Sequence, residues 1–129
     1  MAGPFTFGHP ATANATPLLS IDAVVLDTET TGLDPREARV IQIGAIGLHA
    51  GLRDEQDVYE TLVDPGVPIP PKSREIHGIG DADVAGKPSF ADIAGALSAY
   101  VGTRIVVGHH IGFDLAVLKR EYERAGVSW

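Results

Sequence analysis

The sequence predicts an α/β domain in which helices pack on a mixed sheet. Three observations carry that expectation. Short β-branched runs fill the first half of the chain, two stretches of helical periodicity fill the second, and a short apolar run lies between those two. The resulting order β-β-β-α-β-α places three antiparallel strands first. A later strand then joins in parallel through a helical crossover.

Each element has its own residues. Residues 1–20 are rich in Gly, Pro, Ala and Thr and carry no charged side chain apart from His9. They read as a flexible lead before a domain at 21–129. Ala23–Thr28 is an apolar, β-branched strand that runs into Thr30-Thr31-Gly32 and Asp34-Pro35, both turn signals. Arg39–Leu48 is a second strand, with Val40, Gln42 and Gly44 on one face and Ile41, Ile43 and Ala45 on the other. Turn material at Gly51–Glu55 joins it as a hairpin to a third strand at Asp57–Val63. Pro65, Pro68, Pro70 and Pro71 make Asp64–Lys72 an extended loop.

Ser89-Phe90-Ala91-Asp92 resembles a capping box with Asp in place of Glu. Behind it Phe90, Ile93, Ala94, Leu97 and Val101 recur at helical spacing and predict a helix over 90–101. Ile105–Val107 is a short strand and Gly108–Gly112 a loop. Phe113–Ala125 is a second amphipathic helix, apolar at Phe113, Val117, Leu118 and Tyr122 and closed by Gly126.

Composition narrows the function. A chain of 129 residues fits one domain. Its 17 Asp and Glu against 10 Lys and Arg give a net charge of -7, which argues against a broad basic surface coating DNA. The absence of cysteine excludes a disulfide scaffold and a thiolate zinc site. No apolar run reaches the roughly 18 residues of a membrane span. The first basic residue is Arg36, so the start lacks the charged region of a secretory signal. The expected compartment is the cytoplasm. No phosphate-loop motif and no Ser or Cys nucleophile signature occurs. Asp81, Asp83 and Asp92 brush against calcium-loop spacing, but Ala85 and Pro88 break it; turn and helix-start acids are the simpler reading.

Asp27 and Glu29 flank Thr28 and share a strand face. At the end of an apolar strand, carboxylates are costly unless paired or bound to a cation, and two on one face suit Mg²⁺ or Mn²⁺. A solvated strand-end turn is the alternative. Asp114, in the first turn of the second helix, is a third candidate, and simple N-terminal capping would also explain it. Lys119 and Arg120 sit on the same helix and are either phosphate contacts or a solvated face.

Taken together, the segments VVLDTETTGLDP (Val24–Pro35), IHGI (Ile76–Ile79) and VGHHIGFDLAVL (Val107–Leu118) resemble, in order and spacing, the motifs of the DEDD superfamily of 3′–5′ exonucleases. They are most similar to the proofreading, or epsilon, subunits of bacterial DNA polymerase III. The resemblance implies a ribonuclease-H-like exonuclease fold and metal-dependent hydrolysis at a single-stranded DNA 3′ end. Nucleoside 5′-monophosphates would be released; RNA is an alternative substrate and a DNA polymerase an implied partner. It also implies that Asp27, Glu29 and Asp114 hold two divalent ions, with Glu29 orienting the attacking water. Thr28, Thr30, Thr31, Gly32 and Leu33 would line the terminal nucleotide, joined by His77, His109 and Phe113. His110 stands where Asn is usual. The family's third motif, H-x-A-x-x-D, supplies a further carboxylate and a histidine base. No His or Asp follows Asp114 here. The expectation is a C-terminally truncated domain, a fragment or an inactive nucleic-acid-binding chain, that self-associates through an exposed sheet edge.

Overall fold

The computed structural model describes residues 21–129, so the lead read over 1–20 lies outside the described residues. Strand β1 (Asp22–Thr30) pairs antiparallel with β2 (Val40–His49), and β2 with β3 (Leu52–Leu62). Strand β4 (Ile105–Val107) lies parallel to β1, giving the order β3-β2-β1-β4. The sheet is therefore mixed as expected, and β1 is one of its two inner strands: Ala23, Val24 and Leu26 are all buried.

The hairpin is tighter than predicted. Ala50 and Gly51 both take positive φ, 54° and 79°, as two-residue hairpin turns require. The polar run that read as turn therefore continues as strand from Leu52. A register shift between Ile46 and Gly47 absorbs the change as a bulge.

The prolines misled in the next segment. Pro71 opens helix α1 (Pro71–His77) instead of extending the loop. The first helical N–H has no intrahelical partner, so proline is tolerated there. A one-turn helix α2 (Asp81–Val84) follows. The three acids with calcium-like spacing are engaged by backbone amides. Asp81 accepts from Ile69 N–H at 2.9 Å, Asp83 from Gly80 N–H at 2.7 Å and Asp92 from Ser89 N–H at 3.0 Å.

Helix α3 (Phe90–Val101) has the predicted bounds and the predicted box, Ser89 Oγ accepting from Asp92 N–H at 3.2 Å. Helix α4 (Ile111–Ala125) starts two residues before the predicted Phe113. His110, in the left-handed region at φ 51°, turns the chain straight from loop into helix. The main core joins β1 and β2 to α3 and α4, with Phe90 edge-on to Tyr122 at 5.0 Å and Val117 and Leu118 buried beneath. Phe113 packs only at its margin, half-buried. A smaller cluster of Ile41, Ile69 and Val84 anchors α2 and the proline segment. Among the described residues no helix is long and apolar enough to cross a membrane.

One glycine controls how α4 meets the sheet. A Cβ on Gly108 would lie 2.5 Å from the carbonyl oxygen of Leu26, a backbone atom that cannot step aside. Glycine lets the β4–α4 loop lie directly over β1. Gly108→Ala is expected to cost about 1–3 kcal/mol, as overpacked sites do, measured as a lower urea midpoint with an unchanged slope.

Candidate active site

The end of β1 and the first turn of α4 meet at one buried carboxylate. Asp114 is 4% exposed. Its Oδ1 accepts the Thr28 N–H at 3.2 Å and a short hydrogen bond from the Thr28 hydroxyl. Thr28 lies between Asp27, which is exposed, and Glu29, which is half-buried. Strand alternation points Thr28 toward the helix and its two acidic neighbours to the other side.

The three acids feel one another. Burial, then the neighbouring Asp27 carboxylate, raise the Glu29 carboxyl above its ordinary value; Asp114 adds to the rise and His77 opposes it. Burial also raises Asp114. The Thr28 hydroxyl pulls it back and Asp27 raises it further. Among the described residues no Lys or Arg forms an ion pair with any of the three.

Helix α1 brings His77 to this group. Its Nδ1 accepts the Ile79 N–H at 3.0 Å, which leaves the ring proton on Nε2 in the neutral form. Nε2 is buried and has no hydrogen-bond partner. The helix is fixed by a residue that sequence reading missed: the Ser73 hydroxyl donates to the Thr31 carbonyl at 2.6 Å. Thr31 is bound again, its N–H donating to the Arg39 carbonyl at 2.9 Å and its hydroxyl accepting from Arg39 N–H at 2.9 Å. The Thr30 hydroxyl donates to the Gly32 carbonyl at 2.8 Å. Leu33, next along, is 83% exposed.

His109 is not drawn in. It is exposed, its ring lies edge-on to His110 at 4.1 Å, and it makes no side-chain hydrogen bond or ion pair among the described residues. The three carboxylates and His77 are thus near enough for their charges to act on one another, while Leu33 and His109 stand at the surface.

Unneutralised hard-oxygen donors with raised carboxyl pKa values fit a divalent cation, and the orphaned Nε2–H of His77 fits an acceptor on a bound ligand. The ligand atoms of Asp27, Glu29 and Asp114 are not drawn within 4.8 Å of one another; among the described residues so close a gathering occurs elsewhere. His49, Asp54 and Asp57 bring theirs within 4.8 Å on the β2–β3 hairpin, at the opposite end of β1. There Asp57 Oδ2 already accepts from Arg104 at 2.5 Å and faces His49 Nε2 at 2.7 Å, while His49 Nδ1 faces Asp22 at 3.0 Å. Those pairings tie three strands and the segment before β4 together.

The mixed sheet with helices packed on it is the ribonuclease-H-like fold of exonucleases. A structure of exonuclease I matches with a TM-score of 0.75 at 20% identity, over 84% of this chain and 26% of that one. The exonuclease family model, RNase T type, matches residues 24–128, and the chain belongs to that family. A solved structure of exonuclease X in complex with 5′-overhanging duplex DNA is 32% identical with a TM-score of 0.63. It covers 74% of this chain and 52% of that one. A DNA polymerase III subunit epsilon-like protein of Rhodobacter capsulatus is 40% identical over 107 residues, 82% of this chain and 15% of that protein. The DNA polymerase III subunit epsilon of Aquifex aeolicus is 33% identical over 103 residues, 80% of this chain and 50% of that one. The chain thus spans half or less of these two relatives.

The raised carboxyls make a pH prediction. Relative to the unfolded chain, Glu29 and Asp114 favour their protonated forms, so their contribution is fully present below the ordinary carboxylate range. It is lost as pH rises through the raised native values. Glu29→Gln, which removes one repelling charge, is expected to raise the thermal midpoint at pH 7 in chelator and to leave it unchanged at pH 3. Thermal melts at the two pH values check this.

Proposed function

We propose that this chain carries the metal-binding part of a 3′–5′ exonuclease that hydrolyses DNA phosphodiesters and releases nucleoside 5′-monophosphates. The observation that carries the proposal is the mutual electrostatic influence of Asp27, Glu29 and Asp114, with no Lys or Arg ion pair among the described residues, where β1 meets α4. The family's chemistry depends on divalent metal; for this chain the reading is a pair of Mg²⁺ or Mn²⁺ ions held by these three residues. Such ions supply Lewis acidity at the attacking water and at the leaving 3′ oxygen.

The chain's own groups supply position. Thr28 clamps Asp114 through two hydrogen bonds, so the carboxylate keeps one oxygen committed and one available. Glu29, raised toward protonation by burial, is suited to accept a hydrogen bond from the attacking water and orient it. His77 offers Nε2–H to a phosphate or base acceptor of the terminal nucleotide. The loop from Thr30 to Leu33 is braced at Thr31 and offers Gly32 and the exposed Leu33 as a surface for that nucleotide. Phe113 is placed to pack beneath the site.

DNA is favoured over RNA because the relatives are named for DNA polymerase III and because structures of exonuclease I include its complex with a dT13 oligonucleotide. A DNA polymerase is the corresponding partner. The alternative is nucleic-acid binding without turnover.

A 5′-labelled single-stranded oligonucleotide with Mn²⁺ separates the two. Stepwise shortening from the 3′ end supports the exonuclease. Asp27→Ala is then expected to cut the rate by more than the roughly 10- to 100-fold that losing an outer-shell partner costs. Binding with no shortening by the parent chain would leave only the binding reading.

A further inference from the structure

Half of the chain's cations gather where α4 meets the segment before β2. Arg36 and Arg39 lie on that segment, and Lys119, Arg120 and Arg124 on the helix. Arg39 is paired with the buried Glu121, at 3.1 Å. Lys119 lies a quarter-turn away from Arg120, beside Leu115 and Trp129.

The other three arginines converge despite their mutual repulsion. Arg120 and Arg124 each send an Nη2 donor to the Arg36 carbonyl, at 3.3 and 3.1 Å. Arg36 itself is exposed and pairs with Asp34 at 3.0 Å. Arg120 forms no ion pair among the described residues, and Arg124 shares Glu121 only at 3.7 Å. Each guanidinium has five N–H donors, so most remain free.

Their direction matters. Positions seven and eleven apart on an α-helix lie within about 20° of one another. Phe113, Arg120 and Arg124 therefore share one stripe of α4, with Arg120 about 10 Å and Arg124 about 16 Å beyond Phe113 along the axis. The stripe begins beside Asp114 and ends at the arginine group. We infer that Arg36, Arg120 and Arg124 form a phosphate-binding surface for the nucleic-acid strand leading away from the carboxylate site. The inference rests on the nucleic-acid reading above and adds the track along which that strand lies. It also gives a chain of net charge -7 a local surface for a polyanion, because three guanidinium groups gather there against the nearby carboxylates of Asp34 and Glu121.

The test is anisotropy of a labelled single-stranded dT oligonucleotide of about 12 residues, titrated with the full chain in chelator at several salt concentrations. The double variant Arg120→Gln/Arg124→Gln is expected to bind several-fold more weakly. Its salt slope should be shallower by about 0.7 for each phosphate that is no longer neutralised. Arg120→Lys/Arg124→Lys keeps the charge and should restore the slope; Arg53→Gln, on the hairpin, should change neither quantity. Unchanged affinity and slope in the Gln variant would overturn the surface. So would a Lys variant as weak as the Gln variant, because the arginines would then only lash the loop. If the parent chain binds no oligonucleotide at all, the nucleic-acid reading fails with it.

Discussion

Helix α4 is fastened to the sheet by two buried carboxylates, and the rest of the site depends on that fastening. Asp114 and Glu121 are seven residues apart, on one face of the helix. Each accepts a main-chain N–H from a strand: Asp114 from Thr28 at 3.2 Å, Glu121 from Val40 at 2.8 Å. A carboxylate out of water is costly, so each bond is directional and hard to exchange for another. Glu121, 1% exposed, is also neutralised by Arg39. Removing one partner of such a pair typically costs about 3–5 kcal/mol, because the remaining charge stays buried. The two bonds set the rotation and the height of α4 over β1 and β2 together.

The two acids differ in what balances them. Glu121 has an arginine; Asp114 has only hydroxyl and amide donors, and shares its surroundings with Asp27 and Glu29. One end of the helix is electrically closed and the other is open to a cation. This division gives a buried carboxylate a structural part at one end and a candidate ligand part at the other. It also makes Asp114 a point where stability is given up: burial raises its carboxyl, and no basic side chain offsets the cost.

Much of this was legible in the residues. The apolar run before Asp27, the box at Ser89 and the period through Leu97 define β1 and α3 by local rules alone. Asp27, Glu29 and Asp114 were visible because motifs in register carried them. What escaped has identifiable causes. Helices α1 and α2 are too short for a period to register, and four prolines, three before α1 and one opening it, read as extended chain. The hairpin turn uses Ala50 at positive φ, where Asn or Gly would have announced it. Ser73 acts through a carbonyl 42 positions away, which no local rule reveals. Glu121 did leave a signal: an acid among Val117, Leu118 and Tyr122, two turns after Asp114, belongs on the buried face and needs a partner there.

The loop between β1 and β2 shows how these pieces act together. An exposed leucine is ordinary on any protein surface, so Leu33 alone argues little. Its setting argues more. Thr31 is bound to Arg39 on one side and to Ser73 of α1 on the other, and the Arg36 carbonyl is held by two arginines of α4. Both ends of the loop are thus tied to elements that carry candidate site residues: α1 with His77 and α4 with Asp114. At the tip, Gly32 accepts only from the neighbouring Thr30 hydroxyl, and a Cβ on Gly32 would meet nothing within 4 Å. An apolar tip on a braced loop beside unneutralised carboxylates loses little entropy when a ligand is set against it. The packing that fixes α4 therefore also braces the loop proposed above as the surface for a terminal nucleotide.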